Sequence, residues 1–172
     1  MLLPRSGAQA GIGQDCQRGV DITAGILKDL GLPNLQIMNA DTETNVEVAR
    51  ARAEKLVADG AQVLVGAFDS GQSTAIAQVA EQKGIPYVIN IAAAPQITEQ
   101  GYKFVFRNFP IATELVKNGL ALTDELFKAT GATPRDAVFM HVNDTFGQAN
   151  AKAIGAILPQ LTYRFTENFS AS

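Results

Sequence analysis

The stretch that decides the fold is "QVLVGAFDSGQSTAIAQVAEQKGIPYVIN", residues 62–90. It opens on the apolar run Val63-Leu64-Val65, short and continuous, as a strand buried on both faces requires. Small polar residues follow, Asp69-Ser70-Gly71-Gln72-Ser73-Thr74, and then apolar residues at helical spacing. The spacing predicts a helix over 70–83, stopped by Gly84, and the next apolar run, Tyr87 to Ile91, reads as a second strand. Strand, helix and strand in so short a span form a βαβ unit, whose two strands are parallel.

The same alternation extends in both directions. Upstream, Leu2-Leu3 is the stub of a first strand and "RSGAQAGIG", 5–13, is a glycine-rich loop. Ile12, Cys16, Gly19, Val20, Ala24 and Leu27 then recur at helical spacing, with Gly31 as a stop and Pro33 beyond. Leu35 to Met38 reads as a short strand. Thr44-Asn45-Val46-Glu47 has capping-box form, with the Thr44 hydroxyl as cap and the Glu47 carboxylate three residues on. The helix it opens has Val46, Ala49, Ala53, Leu56 and Val57 on one face and ends at Gly60. Downstream, Phe104 to Phe106 is a strand, and 112–130 is a helix carrying Leu115, Leu122, Leu126 and Phe127 and ending at Gly131. Ala137 to His141 is a strand, 147–158 a helix stopped by Pro159, and Leu161 to Phe165 a last strand.

The predicted fold class is therefore α/β, a parallel sheet with helices on both faces and right-handed crossovers. Gly31, Gly60, Gly84 and Gly131 should each lie just past a helix end. In such sheets ligands sit beyond the C-terminal ends of the strands. Here that edge is built by 5–13, 41–45, 67–73, 91–98 and 143–147.

Composition narrows the chemistry. The chain has 172 residues, 47% hydrophobic and 18% charged, which is the balance of a globular chain. A net charge of −3 without a basic block argues against nucleic-acid binding. Cys16, the single cysteine, cannot form an intrachain disulfide. No apolar stretch approaches the roughly 20 residues of a membrane helix. Met1 leads straight into Leu2-Leu3-Pro4 with no signal peptide, and this abrupt start reads as one from which a secretory signal has been removed.

Motif by motif, most catalytic and cofactor chemistries drop out. "SGAQAGIGQDC", 6–16, has neither spacing of a phosphate loop. "DTETN", 41–45, starts like a calcium loop, but Val46 stands where the loop needs glycine and Arg52 where it needs glutamate, so a polar turn with a helix cap is the better reading. One histidine and one cysteine do not make a zinc site, and no cofactor or metal is expected. A hydrolase using Ser70 and His141 would need the fold to join them, and no nucleophile elbow is present. What remains is the turn before the 70–83 helix. Backbone N–H groups, the helix dipole and hydroxyls there suit an anion, carboxylate as well as phosphate, and the small residues leave room for it. The alternative is that Asp69 or Ser70 is only the helix cap.

Four segments taken in order bring a family into view. "LLPRSGAQAGIGQDCQRGVDI", "GAFDSGQSTAIAQVAEQKGIPYVINIAAAPQIT", "GYKFVFRNFP" and "HVNDTFGQA" together resemble periplasmic solute-binding proteins of the branched-chain amino acid type, which feed ABC importers. The resemblance covers nearly the whole chain. It implies two α/β lobes that close on a small solute, a periplasmic or lipid-anchored extracellular location, no enzymatic activity, and an importer permease as partner. By the same resemblance Ser70 matches the serine that binds the ligand carboxylate, beside Asp69. Ala92 and Ala93 fall on the loop that helps hold it. Ile12 falls where the first loop approaches the ligand, and Phe146 where a tyrosine usually faces the cleft from the second lobe.

The departures from the family pattern are as informative. Ala93 lacks the threonine hydroxyl often found there, Phe146 lacks the phenol, and Ile12 replaces what is often an aromatic ring. A less polar site favours a carboxylate with an apolar or aromatic body, with an aliphatic or branched-chain amino acid close behind, because a buried polar group left unpaired loses about 1–3 kcal/mol. Family members are about twice as long, so the chain reads as an N-terminal fragment: a first lobe over 1–112 and the beginning of a second over 113–172. Unpaired sheet edges and uncovered apolar surface would then favour self-association. A ligand-sensing regulator or receptor domain of the same fold, such as an amide sensor, is the other reading, and a signal peptide on the full-length protein would exclude its cytoplasmic version.

Overall fold

A computed structural model describes residues 1–32, 34–157 and 164–171. The chain divides into two compact units, Met1–Ala92 with Ile97–Phe109, and Ala93–Gln96 with Pro110–Ser172.

The first unit is a five-stranded parallel sheet of β1 (Leu2–Leu3), β2 (Ala40–Asp41), β3 (Leu64–Gly66), β4 (Tyr87–Ile89) and β5 (Val105–Arg107), in the order β2-β1-β3-β4-β5. Three helices connect the first four strands: α1 (Ala10–Asp29), α2 (Val46–Ala58) and α3 (Ser70–Lys83). The order runs outward from β1 to β2 and back past β1 to β3. Right-handed crossovers therefore put α1 on one face and α2 and α3 on the other. The core lies under α2 and α3, where Leu64, Tyr87, Ile89, Ala53, Ile76, Val79 and Ala80 are buried. Gly66 closes β3 against β1: a Cβ there would lie 2.0 Å from the Leu2 carbonyl oxygen, and its φ of 134° suits glycine alone. α1 likewise sits hard on the end of β1, since a Cβ on Gly13 would lie 1.9 Å from the Pro4 oxygen.

The second unit holds α4 (Ala112–Thr130), β6 (Asp136–Val142), α5 (Thr145–Ile157) and β7 (Arg164–Ala171), with β6 and β7 parallel. Asp144 accepts the Gly147 N–H at 2.7 Å in the first turn of α5.

The four glycines stand as predicted: Gly31, Gly60, Gly84 and Gly131 follow their helices with φ of 76°, 97°, 65° and 70°. Three expectations are corrected. The strand expected at Leu35–Met38 is Ala40–Asp41, because pairing with Leu2 and Leu3 sets its position and the apolar run ahead of it does not. Thr44 does not cap α2. Its backbone is left-handed, with φ 54°, while a cap needs an extended one. Asn45 is extended, and its side chain accepts the Glu47 and Val48 N–H groups at 2.9 and 3.0 Å. The apolar faces read for α1 and α4 are largely uncovered, with only Gly13 and Val20 buried on α1 and Ala112 on α4. Pro33, the stop at Pro159 and the strand start at Leu161–Tyr163 lie outside the described residues.

Candidate functional site

The strand order has a switch point. β1 is flanked by β2 and β3, so the chain leaves β1 toward one side of the sheet and leaves β3 toward the other. The loops after the two strands therefore diverge at the C-terminal edge, the place where open α/β sheets bind ligands. The loop after β1 carries Gln9. The loop after β3 carries Asp69 and runs into α3, whose first residue is Ser70.

Asp69 is the α3 cap: its backbone is extended and its carboxylate accepts the Gln72 N–H at 2.8 Å. Ser70 is therefore not the cap. It sits in the first turn at 1% exposure, with its carbonyl accepting the Thr74 hydroxyl at 2.8 Å. Beneath this turn the Ser73 hydroxyl donates to the Ala67 carbonyl at 3.1 Å, and the Ala67 N–H donates to the Tyr87 hydroxyl at 2.9 Å. Burial raises the Tyr87 pKa, against hydrogen bonds from Ser73 and Ala67 that lower it, so the ring stays a neutral post under the turn.

A chain of side chains links the loops after β1, β2 and β3 at this edge. The Thr42 hydroxyl donates to the Gln72 carboxamide oxygen at 2.5 Å, Gln72 donates to Gln9 at 3.3 Å, and Gln9 donates to the Asp69 carboxylate at 3.4 Å. The loops after β1 and β2 are also stitched directly. The Asp41 carboxylate accepts the N–H groups of Arg5, Ser6 and Glu43 at 2.9, 3.2 and 2.9 Å. The Thr44 hydroxyl donates to the Ser6 carbonyl at 2.7 Å and accepts the Gln9 N–H at 3.1 Å. Burial would raise the Asp41 pKa, but the hydrogen bonds from Glu43, Ser6 and Arg5 outweigh it and hold the carboxyl below its usual value.

The candidate residues of the first unit, Ile12, Asp69, Ser70 and Ala92, all lie on loops or helix starts at this one edge. Ile12 is in the first turn of α1 and 43% exposed. Ala92 and Ala93 lie on the loop after β4, at 2% and 0% exposure, where neither has more than a methyl group to obstruct an approach. Ala93 and Phe146 group with the second unit, Phe146 in the first turn of α5 at 42% exposure. His141 is on β6, also in the second unit, stacked on Phe139 with ring centroids 5.5 Å apart and its Nδ1 2.9 Å from the Val142 oxygen. Among the described residues no group of three or more His, Cys, Asp or Glu is placed to hold a metal ion. A hollow of about 560 Å³ between residues 36–41 and α2, lined in part by Arg5, Asp41, Arg52 and Lys55, contains none of the candidate residues.

Sequence reasoning missed Gln9, Gln72 and Asp41, and read Thr44 only as a helix cap. Gln72 had a signal: an amide in the first turn of a helix that packs on the core must find buried partners. "DTETN" also had one, since an aspartate side chain at a turn accepts the backbone N–H two residues on, as Asp41 does from Glu43.

With this geometry in place, the comparisons with known proteins agree. The sequence model of the family described as periplasmic binding protein matches residues 1–170, and the chain belongs to that family. Among curated relatives, the Leu/Ile/Val-binding protein homolog 8 of Brucella abortus is 26% identical over 168 residues, covering 90% of this chain and 41% of the relative. An amino acid binding protein of Pseudomonas aeruginosa is 28% identical over 162 residues, covering 92% of this chain and 42% of the relative. The chain thus spans well under half the length of these relatives. Among solved structures, the branched-chain amino acid transporter substrate binding protein LivJ of Streptococcus pneumoniae, in complex with isoleucine, superposes with a TM-score of 0.81 at 15% identity, covering 99% of this chain and 48% of that one. An ABC transporter solute binding protein of R. palustris in complex with benzoate superposes with a TM-score of 0.83 at 24% identity, covering 99% and 47%. At these identities the structures establish a shared fold: an α/β, parallel-sheet architecture of the periplasmic binding type. No helix among the described residues is long and apolar enough to cross a membrane.

Proposed function

We propose that the protein containing this chain is the extracytoplasmic solute-binding component of an ABC importer. In this reading it works in the periplasm and delivers its solute to a membrane permease. The solute is a small carboxylate, either an aromatic or apolar organic acid or a branched-chain or aliphatic amino acid. The functional division is a first lobe over 1–112 and the start of a second over 113–172. The observation that carries the reading is the placing of Ser70: buried in the first turn of α3, at the switch point, while Asp69 does the capping.

The chemistry follows from that division of labour. The hydroxyl of Ser70 and the first N–H groups of α3 act as donors to the solute's carboxylate. Ala92 and Ala93 border it without side chains that obstruct, and Ile12 contributes apolar surface. Phe146 enters this reading through the family resemblance, as an apolar contact.

The test is calorimetric titration with L-leucine, L-isoleucine, benzoate and 4-hydroxybenzoate, with mass spectrometry of any solute retained through native purification. One of these classes should bind. Ser70→Ala should weaken it about 10- to 100-fold, the value of a hydrogen bond to a charged group at about 1.5–3 kcal/mol. Its melting temperature should stay near that of the wild type. Asp69→Ala should instead cost about 1 kcal/mol of stability as a lost cap. Ser70→Ala with unchanged affinity and lowered stability would reduce Ser70 to a structural residue, and a protein that binds none of the four and retains no solute would refute the reading.

A further inference from the structure

We propose that Arg107 is a positioning residue for solute binding: it fixes the loop after β4 at both ends and so sets how Ala92 and Ala93 meet the solute. The inference rests on the reading of the site given above. Arg107 is the last residue of β5, and its half-buried guanidinium reaches the loop after β4. Nη1 donates to the Ala92 carbonyl oxygen at 2.6 Å, and Nη2 donates to the Thr98 hydroxyl at 3.3 Å. The two acceptors bracket a segment that holds the short 3₁₀ helix Pro95–Ile97.

A planar guanidinium holds its donors at fixed separation, so a segment gripped at both ends by one fork loses freedom that two independent bonds would leave it. Within that segment Ala92, Ala93 and Ala94 are buried and bear only methyl groups. Burial lowers the Arg107 pKa while Tyr87 and Glu99 raise it, and arginine remains cationic through such shifts.

The grip also has a chemical consequence. The Ala92 carbonyl is engaged by Arg107, and the Ala93 carbonyl accepts the Ala112 N–H at 2.8 Å. Carbonyl oxygens repel a carboxylate. With both carbonyls engaged by donors, neither is left to oppose an anion unpaired, and the Arg107 charge lies beside Ala92.

The experiment titrates wild type, Arg107→Lys, Arg107→Gln and Thr98→Val with L-leucine, L-isoleucine, benzoate and 4-hydroxybenzoate. The same samples are melted, and amide exchange is followed over 92–98. Arg107→Gln should weaken binding about tenfold or more, as expected for losing a charged donor. Arg107→Lys should fall between it and the wild type, since one ammonium cannot hold both acceptors, and Thr98→Val should weaken binding a few-fold. Exchange should quicken over 92–98 without a matching drop in melting temperature, which a merely structural role would not give. If Arg107→Gln does not fold, Arg107→Lys and Thr98→Val carry the test. A wild type that binds while the folded variants bind equally well overturns the inference and leaves the site intact. A wild type that binds none of the four and retains no solute through native purification removes the site, and this inference with it.

Discussion

The two faces of the five-stranded sheet are held in different ways. On the face under α2 and α3 the attachment is burial: α3 contributes eight buried residues, among them Ile76, Ala77 and Val79. On the face of α1 only Gly13 and Val20 of the helix are buried. Phe106, in one row with Val88 and Val65, is 53% exposed. What anchors α1 is polar and local, namely the Asp41 and Thr44 bonds to residues 5–9 and the close seat of Gly13 on Pro4. The sealed face carries Ser70, so rigidity is concentrated where the proposed site would need a fixed donor geometry.

The sharpest way to break this contrast is one mutation on each face. Ile76→Ala, at a fully buried position, should cost about 2–5 kcal/mol in urea denaturation, the range for large-to-small core substitutions. Phe106→Ala, at a position 53% exposed on the other face, should cost well under that range, as at other exposed positions. Comparable losses at both sites would mean that the two faces are sealed alike.

The uncovered face has a second consequence. Parallel sheets are ordinarily covered on both sides, and contiguous exposed apolar surface favours association. On this ground we propose that the chain by itself self-associates through the α1 face. Sedimentation should show weight-average mass rising with concentration, and Phe106→Ser should reduce that rise. A monomer across the whole concentration range would show that the face needs no partner.

Much of this was legible in the sequence, for identifiable reasons. The α3 boundaries, Ser70–Lys83, were readable to the residue because Asp69 and Gly84 are unambiguous punctuation. α4 was readable for the same reason at its Gly131 end. The place of the candidate site followed from the alternation of strands and helices, since the C-terminal edge is fixed once the strands are parallel. β2 was misplaced because a two-residue strand takes its position from its neighbour, a non-local fact. The α2 cap was misassigned because Thr44 and Asn45 are both good caps, and contacts with Ser6 and Gln9, distant in sequence, decide between them. The uncovered faces of α1 and α4 could not be read at all: amphipathic spacing says which side is apolar and not whether anything lies on it. Arg107 was within the quoted "GYKFVFRNFP", yet its partners lie on a loop 9 to 15 residues earlier.

The finest test of the contrast uses pH. Asp41 has its carboxyl held below its usual value of 3.8, net of the burial that opposes the shift, by hydrogen bonds from Glu43, Ser6 and Arg5. A depressed carboxyl stabilises the folded state above the unfolded pKa, and that contribution is lost as pH falls through the folded value. Stability measured by denaturant titration should therefore decline as pH drops below about 4, the ordinary range for aspartate. Asp41→Asn should lower stability at pH 7 and flatten the decline, because a neutral amide accepts the same N–H groups more weakly and does not titrate there. The loss should be regional. Asp41 stitches the loop that seats α1, so amide exchange should quicken at the start of α1 while α3, held by burial, keeps its protection. Equal acceleration in α1 and α3 would mean that the polar stitch supports the whole unit, and an unaltered acid profile in Asp41→Asn would mean that other carboxylates carry the pH dependence.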